Sequence, residues 1–409
     1  MGKSGKKSKA AQRQRRARLP TGSVGEHGDA ADSLPSSAYD LPEGQEESRG
    51  EAEGEQVEED GSGNGDAVVV GKAKEMEPLS LSKFDLYQKS VQSPKGDISY
   101  LQKFFLMYVG ERRPLHLQED FCGTALLSSE WLRSDTRRTA IGLDLDLEAL
   151  KWCLENNICK VGYDGYSRIS LFHGNVLHPG RANLVKHMVQ DPLRVSGLNK
   201  QNEHVDAGQL TTRAVHGILT CSTMEDATLP PRDIICAFNY SCCCLQKRPD
   251  LVNYFKQALA ALSKKGGIFV MDLYGGTSSE RQLQLQRKFT NFTYVWEQAE
   301  FDIINRRTRI SLHFHLGKKR VLRNAFSYDW RLWSLSEIRD CLEEAGFQSV
   351  HFWMREMPNT EDASEVEEYN AKSDVKYEEL SSFRQQDAWN AYVVGVTNLL
   401  STRVGQKRD

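Results

Sequence analysis

The chain has 409 residues, 39% hydrophobic and 27% charged, with a formal net charge of -3 and a mean hydropathy of -0.55. The apolar share is low for an enzyme of this length, so part of the chain is expected to build no core. No run approaches the roughly 18–20 apolar residues of a membrane helix, the first twenty residues hold no apolar signal segment, and Lys6 stands where a myristoylation signal wants Ser or Thr.

Residues 1–78 read as a disordered tail. Lys3, Lys6, Lys7, Lys9, Arg13, Arg15, Arg16 and Arg18 form a basic block with no acid among them, and an acidic stretch, Glu43 to Asp60, follows among Gly and Ser. Such a segment buries too little apolar surface to offset its chain entropy. The basic block, within residues 1–18, is either a nuclear-localisation or RNA-contacting arm or a solubilising tail. The nine cysteines, without a secretion signal, read as reduced thiols of an intracellular protein, cytoplasmic or nuclear. Cys242, Cys243 and Cys244 are consecutive and no Cys-x-x-Cys pair exists, so no metal site is expected there.

From residue 79 the pattern changes. Phe84, Leu86, Tyr87, Val91, Tyr100, Leu101, Phe104, Phe105 and Tyr108 recur at helical spacing on either side of Pro94. Strand and helix signals then alternate: strands at 115–119, 139–145, 169–173, 233–239 and 268–273, with helices at 125–133, 147–157 and 251–262. That alternation predicts an α/β domain with a largely parallel sheet. Strands at 293–296, 308–315 and 321–328 alternate polar and apolar residues, as half-exposed antiparallel strands do. Ser334-Leu335-Ser336-Glu337 opens a helix with a capping-box pattern, closed at Gly346, and strands at 349–354 and 389–397 finish the domain. Residues 180–230 read as an irregular insertion, 357–376 as an acidic loop and 398–409 as a flexible tail. One domain, 79–397, is therefore expected behind the charged tail.

The chemistry concentrates in two places. Leu117-Gln118-Glu119-Asp120-Phe121-Cys122-Gly123-Thr124-Ala125 is a strand, a tight turn and a helix start. Next comes Ile141-Gly142-Leu143-Asp144-Leu145-Asp146, a strand ending in an acid. A glycine turn between strand and helix lets backbone approach a ligand, and an acid ending the neighbouring strand accepts two hydrogen bonds from a ribose diol. Together they specify a nucleoside-bearing cofactor. Acids ahead of the turn repel a pyrophosphate and suit a cofactor with an ammonium and a sulfonium.

On these residues the chain resembles the class I S-adenosylmethionine-dependent methyltransferases. Their first motif, acid-x-Gly-x-Gly-x-Gly, is matched by Glu119 to Ala125, with Phe121 and Ala125 in place of two glycines. Asp144 matches the acid ending strand two, Gly174-Asn175-Val176 the third motif, and Asn239-Tyr240-Ser241 the fourth. Tyr87 to Gln92 ahead of the first motif and Tyr328 to Trp333 behind it complete the likeness to an uncharacterised subgroup of that superfamily. The resemblance implies a Rossmann-like seven-stranded, mostly parallel sheet with helices on both faces and an antiparallel cover near 293–328. It implies S-adenosyl-L-methionine as cofactor, held by Glu119, Phe121, Gly123, Asp144, Leu145, Asn175, Val176 and Asn239. Asn175 replaces the usual acid, and its amide can still accept from an adenine amino group.

Each position also has a plainer reading. Glu119 caps the following turn or carries the ammonium, and Asp146 caps the next helix. Tyr87, Tyr100, Trp330 and Trp333 are core or line the site. Asn239 and Tyr240, with Tyr274 as a second choice, are the candidates for contact with the methyl acceptor. The fourth motif has no proline, which disfavours the enzymes that methylate adenine, cytosine or glutamine amides. The expected function is methyl transfer to an unidentified acceptor, with a small molecule slightly favoured. The alternatives are an RNA- or protein-directed methyltransferase recruited by the basic arm to RNA or a ribonucleoprotein, and a non-catalytic cofactor-binding or scaffold protein.

Overall fold

The computed structural model describes residues 81–186, 223–317, 320–360 and 376–397. The basic and acidic tail, most of the 180–230 insertion, 361–375 of the acidic loop and the C-terminal tail lie outside the described residues. Two helices come first, α1 (Lys83–Val91) and α2 (Pro94–Tyr108). Ser82 caps α1 through a reciprocal box with Asp85, and Pro94 begins α2 where a missing N–H costs nothing. Leu101, Phe104 and Phe105 on α2 are fully buried against the sheet.

The parallel strands follow as the hydrophobic runs required: β1 (His116–Asp120), β2 (Thr139–Asp144), β3 (Ile169–His173), β5 (Ile234–Ala237) and β6 (Ile268–Gly275). Buried on both faces, β2, β3, β5 and β6 are mainly apolar, while β1 carries Gln118, Glu119 and Asp120 as buried polar residues. Between them run α3 (Leu126–Ser134), α4 (Leu147–Cys153), the short α5 (Tyr163–Ser167) and α6 (Arg248–Ala261). The helix expected at 147–157 changes at Leu154–Ile158 into a π-turn.

Among the described residues the sheet has nine strands, where seven were expected. The order is β12-β11-β13-β6-β5-β1-β2-β3-β4, where β4 is Asn183–Lys186, β11 Ser349–Glu356, β12 Glu378–Glu379 and β13 Trp389–Val396. The seven expected strands are all present. The additions are short antiparallel edge pieces, β4 against β3 and β12 against β11. β4 falls inside the stretch read as irregular; four residues are too few for a period-2 signal to register. The chain winds outward from β1 through β2 and β3, then returns to place β5 on the other side of β1. Strand order therefore reverses at β1, and the crevice beyond its carboxyl end is where open α/β sheets bind ligands.

Four antiparallel strands in the order β10-β9-β8-β7 form a second sheet between β6 and α7 (Leu335–Ala345). They are β7 (Leu283–Phe289), β8 (Phe292–Gln298), β9 (Arg307–Leu316) and β10 (Arg320–Arg331). Three were expected. β7, Leu-Gln-Leu-Gln-Arg-Lys-Phe, places its polar residues mostly on an exposed face and gives a weak apolar signal. Tyr294, Trp296, Ile310, Phe314 and Trp330 put this sheet's buried face into the same core as Tyr240, Tyr274 and Phe269.

Ser334 caps α7 as the pattern predicted: its side chain accepts from the Glu337 N–H, and Glu337 accepts from the Ser334 N–H at 2.9 Å. Ser334→Ala is expected to lower stability by about 1 kcal/mol, measured as a lower denaturant midpoint with an unchanged slope.

Candidate functional site

The turn after β1 is built from alternating left-handed residues. Phe121 has φ +56°, Gly123 +49° and Ala125 +47°. These are the three positions where the resemblance wants glycine. The backbone thus keeps the glycine conformation where the glycine is absent, at a cost of roughly 1–2 kcal/mol for each side-chain-bearing residue. A Cβ built on Gly123 would meet nothing within 4 Å, so the turn opens onto free space there. Phe121 is half-buried, its ring 5.9 Å edge-on from Tyr254 of α6.

Asp144 holds this turn. Its Oδ2 accepts from the Gly123 N–H at 2.6 Å and its Oδ1 from the Asp146 N–H at 2.7 Å. Burial raises its pKa against the pull of those N–H groups. Asp146 caps α4, accepting from the Ala149 N–H at 3.0 Å. Leu145 is 62% exposed beside the turn. The loop after β3 is tied in by the Gly174 N–H, which donates to the Asp144 carbonyl at 2.8 Å. Asn175 is exposed and its Oδ1 accepts from the Leu177 N–H at 2.9 Å, while Val176 is buried. Gly123, Asp144 and the Asn175 loop are thus brought together at the carboxyl ends of three adjacent strands.

The two acids ahead of the turn point to opposite faces, as successive strand residues must. Glu119 Oε2 accepts from the Ser128 N–H at 2.9 Å and from its hydroxyl at 2.6 Å, which pins the first turn of α3. That is the turn-anchoring arrangement. Burial, with Asp144 and Asp120 adding like charge, raises Glu119 to about 7. Asp120 accepts from Gln118 at 2.8 Å and from the Tyr254 hydroxyl at 2.9 Å, and burial raises it to about 6. Tyr254→Phe should cost about 1–2 kcal/mol, because a buried carboxyl loses its phenol donor; urea unfolding at neutral pH checks it.

The loop after β5 is the second strained place. Asn239 and Tyr240 both have φ +58°. Their N–H groups donate to one carboxylate, Asp272 on β6, at 3.0 and 2.7 Å. Asn239 is half-buried. Tyr240 is 3% exposed and its phenol donates to Asn390 Oδ1 at 3.1 Å, so the phenol is committed to the sheet. Its ring packs on Tyr274 (4.9 Å) and edge-on to Trp330 (5.9 Å). Tyr274 donates to Gln298 at 3.3 Å, and Trp333 donates to the Leu245 carbonyl at 3.2 Å. Trp330 and Trp333 are core residues. Tyr100 is placed away from the turn, its hydroxyl accepting from the Tyr377 N–H at 3.1 Å. Tyr87 is half-buried at the mouth, 4.9 Å from Phe326, with its phenol pushed well above the usual range by burial and by Tyr328, Tyr294, Asp272 and Asp144. From α1, Gln88 donates to the Thr124 hydroxyl at 2.7 Å, which brings that helix onto the turn.

Sequence reasoning missed Asp272, Asn390 and Gln298. Asp272 had a signal, a lone acid inside the apolar run of β6; the other two had none. A shallow surface hollow edged by Gln246, Glu300, Arg307 and Asp329 contains none of these loop residues, and its Arg309–Asp329 pair is a surface ion pair. Among the described residues no three His, Cys, Asp or Glu side chains gather as a metal ion would need, and no helix is long and apolar enough to cross a membrane.

No family model and no curated protein matches the chain. Solved structures similar to it include an S-adenosylmethionine-dependent methyltransferase from Clostridium acetobutylicum, at 14% identity and a TM-score of 0.40 over 69% of this chain and 84% of that one. The CcbJ methyltransferase from Streptomyces caelestis is similar at 12% identity and a TM-score of 0.46, over 78% and 97% of the two chains. The sugar N-methyltransferase KedS8 from a Streptoalloteichus species is similar at 12% and 0.44, over 81% and 99%. Likenesses at this distance leave the functional reading to the residues of the site itself.

Proposed function

We propose that the chain is an S-adenosylmethionine-dependent methyltransferase acting on a small-molecule acceptor. The observation that carries this reading is the concentration of strain at the switch point. Of the non-glycine residues with positive φ among those described, Phe121, Ala125, Asn239 and Tyr240 lie just past the carboxyl ends of β1 and β5. Backbone strain of this kind is kept where a ligand requires it. The strained turn opens on one side at Gly123, carries the Asp144 carboxylate beside it and is flanked by an exposed Leu145. This cradle fits a nucleoside-bearing cofactor better than a pyrophosphate, because the ionisable group beside the turn, Asp144, is an acid.

In this reading Asp144 takes the ribose diol, backbone from Phe121 to Gly123 takes the methionine part, and Leu145, Asn175 and Val176 flank the adenine. Glu119 holds the geometry through Ser128, and Asn239 faces the reacting end. When bound, the cofactor supplies an electrophilic methyl on a sulfonium. The protein's part is orientation, holding the acceptor in line at about 3–3.5 Å. Tyr87 on α1 lies near Asp144 and near Tyr294 and Tyr328 of the antiparallel sheet, and a site covered by that sheet would favour a small acceptor.

Calorimetry with S-adenosylhomocysteine tests the first step, and absence of binding would leave the scaffold reading. Radiolabelled methyl transfer into extract fractions of small molecules, protein and RNA tests the acceptor. The basic residues Lys3 to Arg18 favour a second reading, an RNA-directed enzyme. Salt-sensitive RNA binding lost on deleting that block supports it. An intracellular location, cytoplasmic or nuclear, belongs to the same proposal.

A further inference from the structure

The loop after β5 has an unusual support. The consecutive N–H groups of two left-handed residues, Asn239 and Tyr240, turn toward one side, where they meet an anion. Here the anion is the chain's own. Asp272, 7% exposed in the middle of β6, accepts from Asn239 with Oδ2 and from Tyr240 with Oδ1. Tyr240 is held again at its far end, where the phenol donates to Asn390, and Asn390 is the register partner of Tyr274 on β6. The loop is therefore fastened at two points to the two strands beside it.

We propose that Asp272 is a positioning residue that sets the Asn239–Tyr240 loop in its binding conformation, and that it does so as the ionised carboxylate. This rests on the reading that the loop faces cofactor and acceptor. A carboxylate accepts both N–H groups with full charge. A protonated carboxyl has one oxygen occupied by its proton and grips one of them weakly. An asparagine presents an N–H₂ group to one of the two donors.

The surroundings place the change of state within reach. Ionisable groups near Asp272 include Tyr87 on α1, Cys236 on β5, Tyr240, Cys242 and Cys243 in the turn that follows, Tyr274 two residues along β6, and Tyr392 on β13. None of these is a cation; the two N–H groups and the Asp272 backbone oppose the cost of burial, and burial raises the carboxyl to about 7. Above that value the loop is held at both N–H groups; below it the hold loosens. A merely structural acid would stabilise the fold without tying the loop to pH.

The test uses the full-length chain labelled with ¹⁵N-tyrosine. The Tyr240 amide, assigned with Tyr240→Phe, is followed from about pH 5.5 to about pH 8.5 without ligand. It should move downfield as Asp272 ionises, and stay in place in Asp272→Asn. Binding of S-adenosylhomocysteine should tighten about tenfold over the same range in the wild type. Asp272→Asn should match the wild type at the acid end and bind about tenfold more weakly at the alkaline end. A Tyr240 amide that does not titrate overturns the proposal, and that measurement does not depend on Asp272→Asn folding. So does an Asp272→Asn protein with the wild-type pH profile. If the wild type binds no S-adenosylhomocysteine, the methyltransferase reading fails, while the amide titration still decides whether Asp272 holds the loop by its charge.

Discussion

Replacing Asp144 by Ala is expected to weaken S-adenosylmethionine binding by about 1–3 kcal/mol, a loss of about 5- to 150-fold. Two effects add. The carboxylate is the group placed to accept from a ribose diol, and it also holds the Gly123 N–H at 2.6 Å. Without it the turn loses the anchor that keeps its open side aligned with the loop after β3. Asp144→Asn should fall between the two proteins, since its single carbonyl oxygen can keep one of the N–H groups. Calorimetry at a pH above 7 measures the difference, with the thermal midpoint recorded beside it. Wild-type affinity in Asp144→Ala, with a folded protein, would remove the ribose assignment.

The parallel strands and the glycine turn could be read from the chain because each is a local signal. β2, β3, β5 and β6 are short, mainly apolar runs bounded by turn residues, Asp144 ends one of them, and β1, polar apart from Leu117, is marked by the glycine turn that follows it. Ser334 and Asp146 carry capping patterns within three residues of their partners. What escaped depends on distance along the chain. Asp272 meets residues 32 and 33 positions away, and the Tyr240–Asn390 bond spans 150 positions. Nothing local at Asn390 announces that partner. The left-handed Phe121 and Ala125 escaped for another reason: a phenylalanine and an alanine give no sign of positive φ. Their conformation is imposed by the packing of β1 against α3, through Glu119 and Ser128, and by Asp144 at Gly123. The departures from the glycine pattern therefore change the side chains and leave the backbone path as the pattern requires.

Those same acids make stability depend on pH in an uncommon direction. Glu119 is raised to about 7 in the folded chain from an ordinary 4.5. The folded state thus binds this proton more tightly than the unfolded state. The contribution is fully present below about pH 4.5 and is lost as pH rises toward 7 and beyond. A shift of about 2.5 units corresponds to about 3 kcal/mol at 1.36 kcal/mol per unit. Glu119→Gln removes the titration while its carbonyl oxygen still accepts from Ser128. The stability difference between Glu119→Gln and wild type should therefore move in favour of the variant by about 3 kcal/mol between pH 4.5 and pH 8. Any fixed cost of placing the amide N–H₂ cancels in that difference. Urea unfolding across the interval measures it, and parallel curves for the two proteins would mean that Glu119 is ionised throughout. That outcome would turn the acid from a neutral link to α3 into a standing negative charge behind the turn, able to attract the cofactor's ammonium from beneath.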